Sequence, residues 1–392
     1  MKSERTSYQL ADIIDLFGGG TPKTSMPEYW DGNIPWLSVK DFNNDDRYVY
    51  ETTKTITQAG LNNSSTKMLM RDDIIISARG TVGELAMIPF PMAFNQSCYG
   101  IRGRKDIVIQ PYLYYLLKDS IRLLKNQTHG SVFDTITKAT FAGIKVTVPP
   151  IDEQQKVADT LTALDDKIAV NKAINNHLEQ MAQAIFKSWF VDFEPFGGMM
   201  PTDWREVKFS AFLTPRIEKS NDPNIPLFSV TDNGIFPRSE KFNKSLSKTT
   251  TMNKIVRETD LVFGMSREIL NWGVMRSPIG GVSSAYNIFA VESNINSKYL
   301  ESFIKAYSFY FKDLIRPATR EGQGVDKEAL MMKSIYLPPD DTLMKYYAIE
   351  DSLTGIISAN KAENVCLAAL RDTLLPRLMS GELSVTDLVT NR

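Results

Sequence analysis

Ile34-Pro35-Trp36-Leu37-Ser38-Val39-Lys40-Asp41 returns further along the chain as Ile225-Pro226-Leu227-Phe228-Ser229-Val230-Thr231-Asp232, a shift of 191 residues from 34 to 225. Other blocks keep nearly the same shift. Asp73 with the apolar run Ile74 to Ile76 is matched by Asp260 with Leu261 to Phe263, and Val148-Pro149-Pro150 is matched by Leu337-Pro338-Pro339. A repeat this long marks a duplicated unit rather than a solenoid. At 392 residues the chain is also too long for one ordinary core, so it divides into two equivalent halves.

Each half changes grammar at its Pro-Pro pair. Before it, Asp73 to Ala78 and Ile144 to Val148 are β-branched and predict strands, whereas Pro111 to Leu124 has helical spacing. After it, one long helix is predicted in each half. Proline near a helix start sacrifices no intrahelical hydrogen bond, and Asp152-Glu153 or Asp340-Asp341 suit the positive end of the helix dipole. The expected fold class is α+β with an internal pseudo-two-fold repeat. Two mixed α/β lobes, 1–150 and 195–339, are separated by an antiparallel coiled coil of two long helices, 151–194 and 340–380, with a tail at 381–392.

In the first long helix Val157, Leu161, Leu164, Ile168, Asn171, Asn175, Leu178, Ala182, Ile185 and Trp189 alternate spacings of four and three, the seam of a coiled coil. The equivalent positions in the second are Tyr346, Glu350, Leu353, Ile357, Asn360, Asn364, Leu367, Arg371, Leu374 and Leu378. Antiparallel pairing about a two-fold axis opposes residues whose numbers sum to 535: Asn171 with Asn364, Asn175 with Asn360, Ile168 with Leu367, Leu161 with Leu374, and Trp189 with Tyr346. Matched amides in a seam fix register and orientation at some cost in stability, which makes these four asparagines the expected register residues. Ile185 against Glu350 and Leu164 against Arg371 break the match, and charged heads reaching solvent at the seam edge would accommodate them. The alternative is that each helix packs only on its own lobe. A pair running from Val157 to Trp189 would be about 48 Å long. That suffices to hold equivalent lobes about one DNA turn apart, roughly 34 to 36 Å. The lobes differ in sequence, so the half-sites they touched would differ too.

Composition sets limits. Hydrophobic residues make up 43% and charged residues 23%, as in ordinary globular proteins, and no apolar run is long enough to span a bilayer. The start, MKSERTSYQL, lacks the features of a secretory leader, so a cytoplasmic protein is expected. The net charge of −1 conceals a segregation. Residues 1–150 hold 17 Lys and Arg against 15 Asp and Glu, and residues 195–339 hold 19 against 15. The helical stretches 151–194 and 340–392 hold 4 against 8 and 5 against 8. Mildly basic lobes permit nucleic-acid binding without requiring it.

GGGTP at 18–22, YWDGNIPWLSVKD at 29–41, DDIIISARGTVG at 72–83, VPPIDEQQKVADTLTALDDKIAVNK at 148–172 and FKSWFVDFEP at 186–195 resemble the specificity (S) subunits of type I restriction-modification enzymes, the HsdS family. LPP at 337–339 and LLPRLMSGEL at 374–383 resemble that family's distal spacer region, so the resemblance covers essentially the whole chain. It implies a non-catalytic subunit that binds an asymmetric, bipartite target in double-stranded DNA. It also implies docking of two methyltransferase (M) subunits through the spacer helices, with motor-nuclease (R) subunits joining that core. S-adenosylmethionine then belongs to the methyltransferase subunits and ATP to the motor subunits, so no cofactor is expected here. The second half departs from the pattern: GGGTP shrinks to Thr214-Pro215, and RGTVG becomes Arg267-Glu268-Ile269-Leu270.

A search for chemistry supports a non-enzyme. His129 and His177 cannot build a metal site, and each reads as a surface or loop residue. Cys98 and Cys366 lie far apart without a Cys-x-x-Cys pattern and read as buried thiols. Gly18-Gly19-Gly20 lacks the Lys and Ser/Thr of a phosphate loop and reads as a turn. Candidates for touching DNA are Arg79 and Arg267, at corresponding places after a strand. Thr128, Gly130, Ser131 and Gln323 fall in corresponding polar loops, and Arg102, Arg104, Lys105, Arg316 and Arg320 form basic clusters. Surface salt bridges and plain connections are the competing readings. Two rival functions are a single-chain DNA methyltransferase or nuclease, opposed by the missing motifs, and a coiled-coil scaffold that binds proteins rather than DNA.

Overall fold

In a computed structural model the described residues are 4–127, 135–232, 234–238, 253–266, 269–292, 295–315 and 325–386. They form two units: Met1–Asn175 with Ile357–Arg392, and Asn176–Ile356. Each unit therefore takes one lobe together with the adjoining parts of both long helices.

The first lobe holds β1 (Thr6–Gln9), β2 (Ile14–Gly18), β3 (Trp30–Leu37), β4 (Lys54–Ile56), β5 (Met68–Leu69), β6 (Ile74–Ser77), β7 (Leu85–Met87), β8 (Met92–Phe94), β9 (Cys98–Gly103) and β10 (Lys145–Val148). Among them lie α1 (Gln58–Asn62), α2 (Gln110–Gln127) and α3 (Lys138–Gly143), and α4 (Ile151–Phe190) follows. The strands make a sheet of order β2-β9-β6-β7, a second of order β4-β3-β8-β5, and the pair β1-β10. Strand β6 is buried on both faces, as its unbroken Ile74-Ile75-Ile76 run requires.

The second lobe holds β11 (Arg205–Lys208), β12 (Leu213–Arg216), β13 (Phe228–Thr231), β14 (Gly234–Pro237), β15 (Lys254–Arg257), β16 (Leu261–Phe263), β17 (Trp272–Val274), β18 (Ile279–Val282), β19 (Asn287–Val291) and β20 (Ser334–Leu337). Its helices are α5 (Ser297–Ala306) and α6 (Lys327–Met332), followed by α7 (Asp340–Ser380). Its main sheet, β12-β19-β16-β17, repeats the order of the first, and β11-β20 repeats β1-β10. Registers repeat as well: Ile74 and Leu16 flank Ile101, and Leu261 and Pro215 flank Phe289. This register corrects one reading. Thr214-Pro215 lies in β12 where the first lobe has Asp15-Leu16, so it is not a shortened Gly-Gly-Gly-Thr-Pro block.

The long helices pair antiparallel within each unit. In the first, the Asn171 Nδ2 donates to Asn364 Oδ1 at 2.9 Å and the Asn360 Nδ2 donates to Asn175 Oδ1 at 2.9 Å. In the second, Trp189 faces Tyr346 with ring centroids 6.4 Å apart. Each lobe core also runs into the helix ends. Val157, Leu161, Leu375 and Leu378 join Tyr112 and Leu113, while Phe186, Phe190 and Tyr346 join Tyr299 and Phe303. Pairing and lobe packing are therefore combined rather than alternative.

The charged head at Arg371 does not reach solvent, contrary to expectation, and the one at Glu350 does so only in part. Arg371 is 3% exposed, and its guanidinium donates to Asp165 at 2.7 Å, Asp45 at 2.9 Å and Asp372 at 2.8 Å. The Tyr115 hydroxyl donates to the other oxygen of buried Asp165 at 2.7 Å. Glu350 is partly buried and meets Lys298 at 3.3 Å. A loop of the first lobe completes the Arg371 network: Asp45, in the left-handed region at φ 59°, also accepts from Lys118 at 2.7 Å, and Arg47 pairs with Asp166 at 2.7 Å. Buried charges persist when paired and hydrogen-bonded, as here. At the lobe's edge the Arg5 guanidinium donates to the Met379 carbonyl at 2.6 Å, placing a cation at the negative end of α7.

Candidate nucleic-acid interface

Strand β6 ends in a hairpin that is built from one buried serine. The Ser77 Oγ donates to the Thr81 carbonyl at 2.5 Å and accepts from the Glu84 amide at 2.8 Å, while Gly83 N–H reaches the Ser77 carbonyl at 2.9 Å. Gly80 and Gly83 take φ of 82° and 83°, which explains the glycines of Arg79-Gly80-Thr81-Val82-Gly83. Arg79 is exposed at the start of this hairpin, with no ion pair among the described residues. The residue before it is held from both sides: Ala78 N–H donates to the Ser97 carbonyl at 2.8 Å, and Ile136 N–H donates to the Ala78 carbonyl at 3.0 Å.

Beside Arg79 runs the turn Asn95-Gln96-Ser97, between β8 and β9. The Asn95 side chain accepts from Ser97 N–H at 3.1 Å, an Asx turn that presents Gln96 to solvent. The Thr21 hydroxyl donates to the Gln96 side-chain oxygen. The preceding glycines are not a turn, contrary to the sequence reading. Neither Gly19 nor Gly20 has a positive φ. A Cβ on Gly19 would collide with the Asn95 carbonyl, and one on Gly20 with Ser65 and Thr66, so these glycines let two chain segments cross in contact. The result is a polar, glycine-bearing edge with Thr21, Arg79 and Gln96 presented together.

The second lobe repeats the turn. The parallel bridges Trp36↔Ala93 and Leu227↔Gly281 correspond, which places Asn95, Gln96 and Ser97 on Ser283, Ser284 and Ala285. There the Ser283 Oγ accepts from Ala285 N–H at 3.4 Å, and Ser284 is exposed at the tip. Sequence reasoning missed both tips. A short polar residue just after one strand and shortly before the next, Asn95 or Ser283, was the available signal.

The other candidates fare differently. Arg102 makes a bidentate pair with buried Asp73 at 2.7 and 2.6 Å, and that hydrogen-bonded pair raises its pKa above the ordinary guanidinium value. Its role in the structure is to hold a carboxylate that also receives the Met70 amide at 2.8 Å. The second lobe holds Asp260 likewise, with Arg216 at 2.8 and 3.1 Å and the Arg257 amide at 2.8 Å. The arginine has changed strands, since Arg216 occupies the place of Phe17 and Ala290 that of Arg102. Arg104 lies 3.7 Å from Asp15, and Lys105 is exposed. Arg267, Thr128, Gly130, Ser131, Arg316, Arg320, Gln323 and His129 lie outside the described residues.

Among the described residues no group of His, Cys, Asp and Glu could hold a metal ion, and no helix is long and apolar enough to cross a membrane. His177 is exposed on α4. Cys98 is buried, which pushes its thiol up to about 12, but Cys366 is exposed on α7, correcting the expectation of two buried thiols.

Comparison with known proteins adds to this geometry. Residues 2–180 match a family model described as the type I restriction modification DNA specificity domain. The type I restriction enzyme MjaIX specificity subunit of Methanocaldococcus jannaschii is 28% identical over 97% of this chain and 94% of its own length. The EcoR124I/EcoR124II specificity subunit of Escherichia coli is 32% identical over 40% of each. Among solved structures, the type I S subunit from M. genitalium covers 96% of both chains at 12% identity with a TM-score of 0.51, a likeness of fold. With its duplicated α+β lobe and paired helices, the chain is similar over nearly its whole length to a type I restriction enzyme specificity subunit, and residues 2–180 are similar to the DNA specificity domain of that family.

Proposed function

We propose that this chain selects the DNA sequence for a type I restriction-modification system in the cytoplasm. Each lobe, 1–150 and 195–339, reads one half of an asymmetric bipartite target in double-stranded DNA. The helices at 151–194 and 340–380 form the spacer on which two methyltransferase subunits dock, with motor-nuclease subunits joining them. The chemistry and its cofactors, S-adenosylmethionine and ATP, reside in those partners.

One observation carries this reading: two lobes share sheet order and register, yet present different side chains at equivalent exposed positions. A duplicated framework with divergent surfaces suits a target whose halves are unlike. Arg79 is the first-lobe residue we assign to DNA, because it is exposed, directly follows the anchored Ala78 and is free of a carboxylate among the described residues. Arginine in that setting can grip phosphate or pair with guanine. Arg104, Lys105 and the outlying Arg267, Thr128, Gly130, Ser131, Arg316, Arg320 and Gln323 are assigned to the same faces as secondary contacts. Arg102 is the weakest of the group, being already committed to Asp73.

The test is selection of bound duplexes from a randomised library by the purified chain with its methyltransferase partner. A split, asymmetric motif and binding that falls steeply with salt are expected. Enrichment of the same motif by the partner alone, or of none, would contradict the proposal.

A further inference from the structure

We propose that the tip of the turn entering the central strand of each lobe, Gln96 in the first and Ser284 in the second, is a base-reading position that makes the two half-sites differ. The inference rests on the DNA-specificity reading above and deepens it to two named side chains.

Four observations converge. The turn is the same device in both lobes, since Asn95 and Ser283 each accept from the amide two residues on, at 3.1 and 3.4 Å. The pairings Trp36↔Ala93 and Leu227↔Gly281 make its members register-equivalent. Both tips are exposed, although the strands they join are largely buried. In the first lobe the tip lies beside Arg79, because the Ser97 carbonyl accepts from the Ala78 amide at 2.8 Å.

The amide chemistry suits readout. Glutamine can accept from the adenine N6 amino group and donate to N7, a two-point contact that no other base pair offers in the same form. The Thr21 hydroxyl donates to the Gln96 Oε1, and the amide NH2 group carries two further hydrogens that can donate. One lone pair of Oε1 remains for an incoming amino group. Gly18 and Gly80 have nothing near the position of a Cβ, leaving room for a nucleic-acid backbone to approach this edge. Serine at the second tip is shorter and can serve as donor or acceptor, so Ser284 would read a different base or read less stringently.

The experiment uses the complex of the chain with its methyltransferase partner, genomic DNA and S-adenosylmethionine, with methylated positions mapped by single-molecule sequencing. Gln96→Ala should flatten the preference at one base pair of one half-site, a loss of discrimination of about 5- to 150-fold for a two-point contact. The other half-site should be unchanged. Ser284→Ala should act on the opposite half-site only. Gln96→Ser, which installs the second lobe's residue, supplies a further variant should Gln96→Ala lower the melting temperature. A motif unchanged in all three variants, or methylation falling equally on every sequence, would overturn the inference while leaving the DNA-specificity reading in place. If the parent complex yields no motif that depends on this chain, that broader reading fails first.

Discussion

Arg371 joins both helices of the first unit to its lobe, and replacing it with leucine tests whether the network stabilises the assembly as the geometry implies. Arg371 and Asp165 are 3% and 7% exposed, so Arg371→Leu leaves a buried carboxylate with only the Tyr115 hydroxyl, 2.7 Å away, as partner. Stripping one member from a buried pair costs about 3 to 5 kcal/mol. Asp45 and Asp372 add little to that cost, because their side chains are 61% and 58% exposed and remain hydrated. For a unit of 175 and 36 residues, 211 in all, the expected fall in melting temperature is about 6 to 20 °C. Hydrogen exchange at Ile74 to Ile76 locates the loss, with Val262 of the second unit as the internal reference. The triple change Arg371→Leu, Asp165→Leu and Tyr115→Phe removes the charges and the hydroxyl together, and should recover most of the stability. A single variant within about 1 kcal/mol of the parent, or a triple variant no better than the single, would refute the reasoning.

Relocating the Asp73 clamp offers a second test. Arg102→Ala should destabilise the first lobe by about 3 kcal/mol, and adding Phe17→Arg, the second lobe's arrangement, should restore much of it in urea denaturation; no rescue would mean that the two clamps are not equivalent. Gly20→Ala should prevent close packing against Thr66 and lower the melting temperature sharply. Gly80→Ala, in open space at φ 82°, should cost only about 1 kcal/mol of backbone strain; similar losses in calorimetry would contradict the crossing geometry. Acid should weaken the first unit in part through Asp45. Burial raises its pKa, but Lys118 and Arg371 together outweigh that and hold it below the ordinary 3.8. Its contribution is therefore complete above about pH 4 and lost as pH falls through the lowered folded value. Asp45→Asn should flatten the stability curve below pH 4, and an unchanged curve would remove Asp45 from the network.

The duplication, the strands at Ile74–Ser77 and Lys145–Val148 and the long helices were legible because each leaves a local pattern: a β-branched run, a proline pair or a seam of three and four. The asparagine layers were legible because antiparallel pairing turns sequence position into arithmetic. Arg371 was not, because its partners come from elements far apart in sequence, and no periodicity marks a loop at Asp45 closing over a seam. Gly19 and Gly20 were misread for a related reason, since glycine allows both turns and close crossings and only the neighbour at Asn95 decides. Arg102 looked like an available cation until the fold placed Asp73 against it. The turn tips Gln96 and Ser284 emerged only when the registers of the two lobes were laid side by side.

The central claim is that this chain chooses the DNA sequence on which its partners act. Its most direct test is to methylate genomic DNA with the candidate methyltransferase partner and S-adenosylmethionine, with and without this chain, and to map N6-methyladenine by single-molecule sequencing. The account predicts a split, asymmetric motif that appears only when the chain is present. An active partner that methylates the same motif in its absence would contradict it.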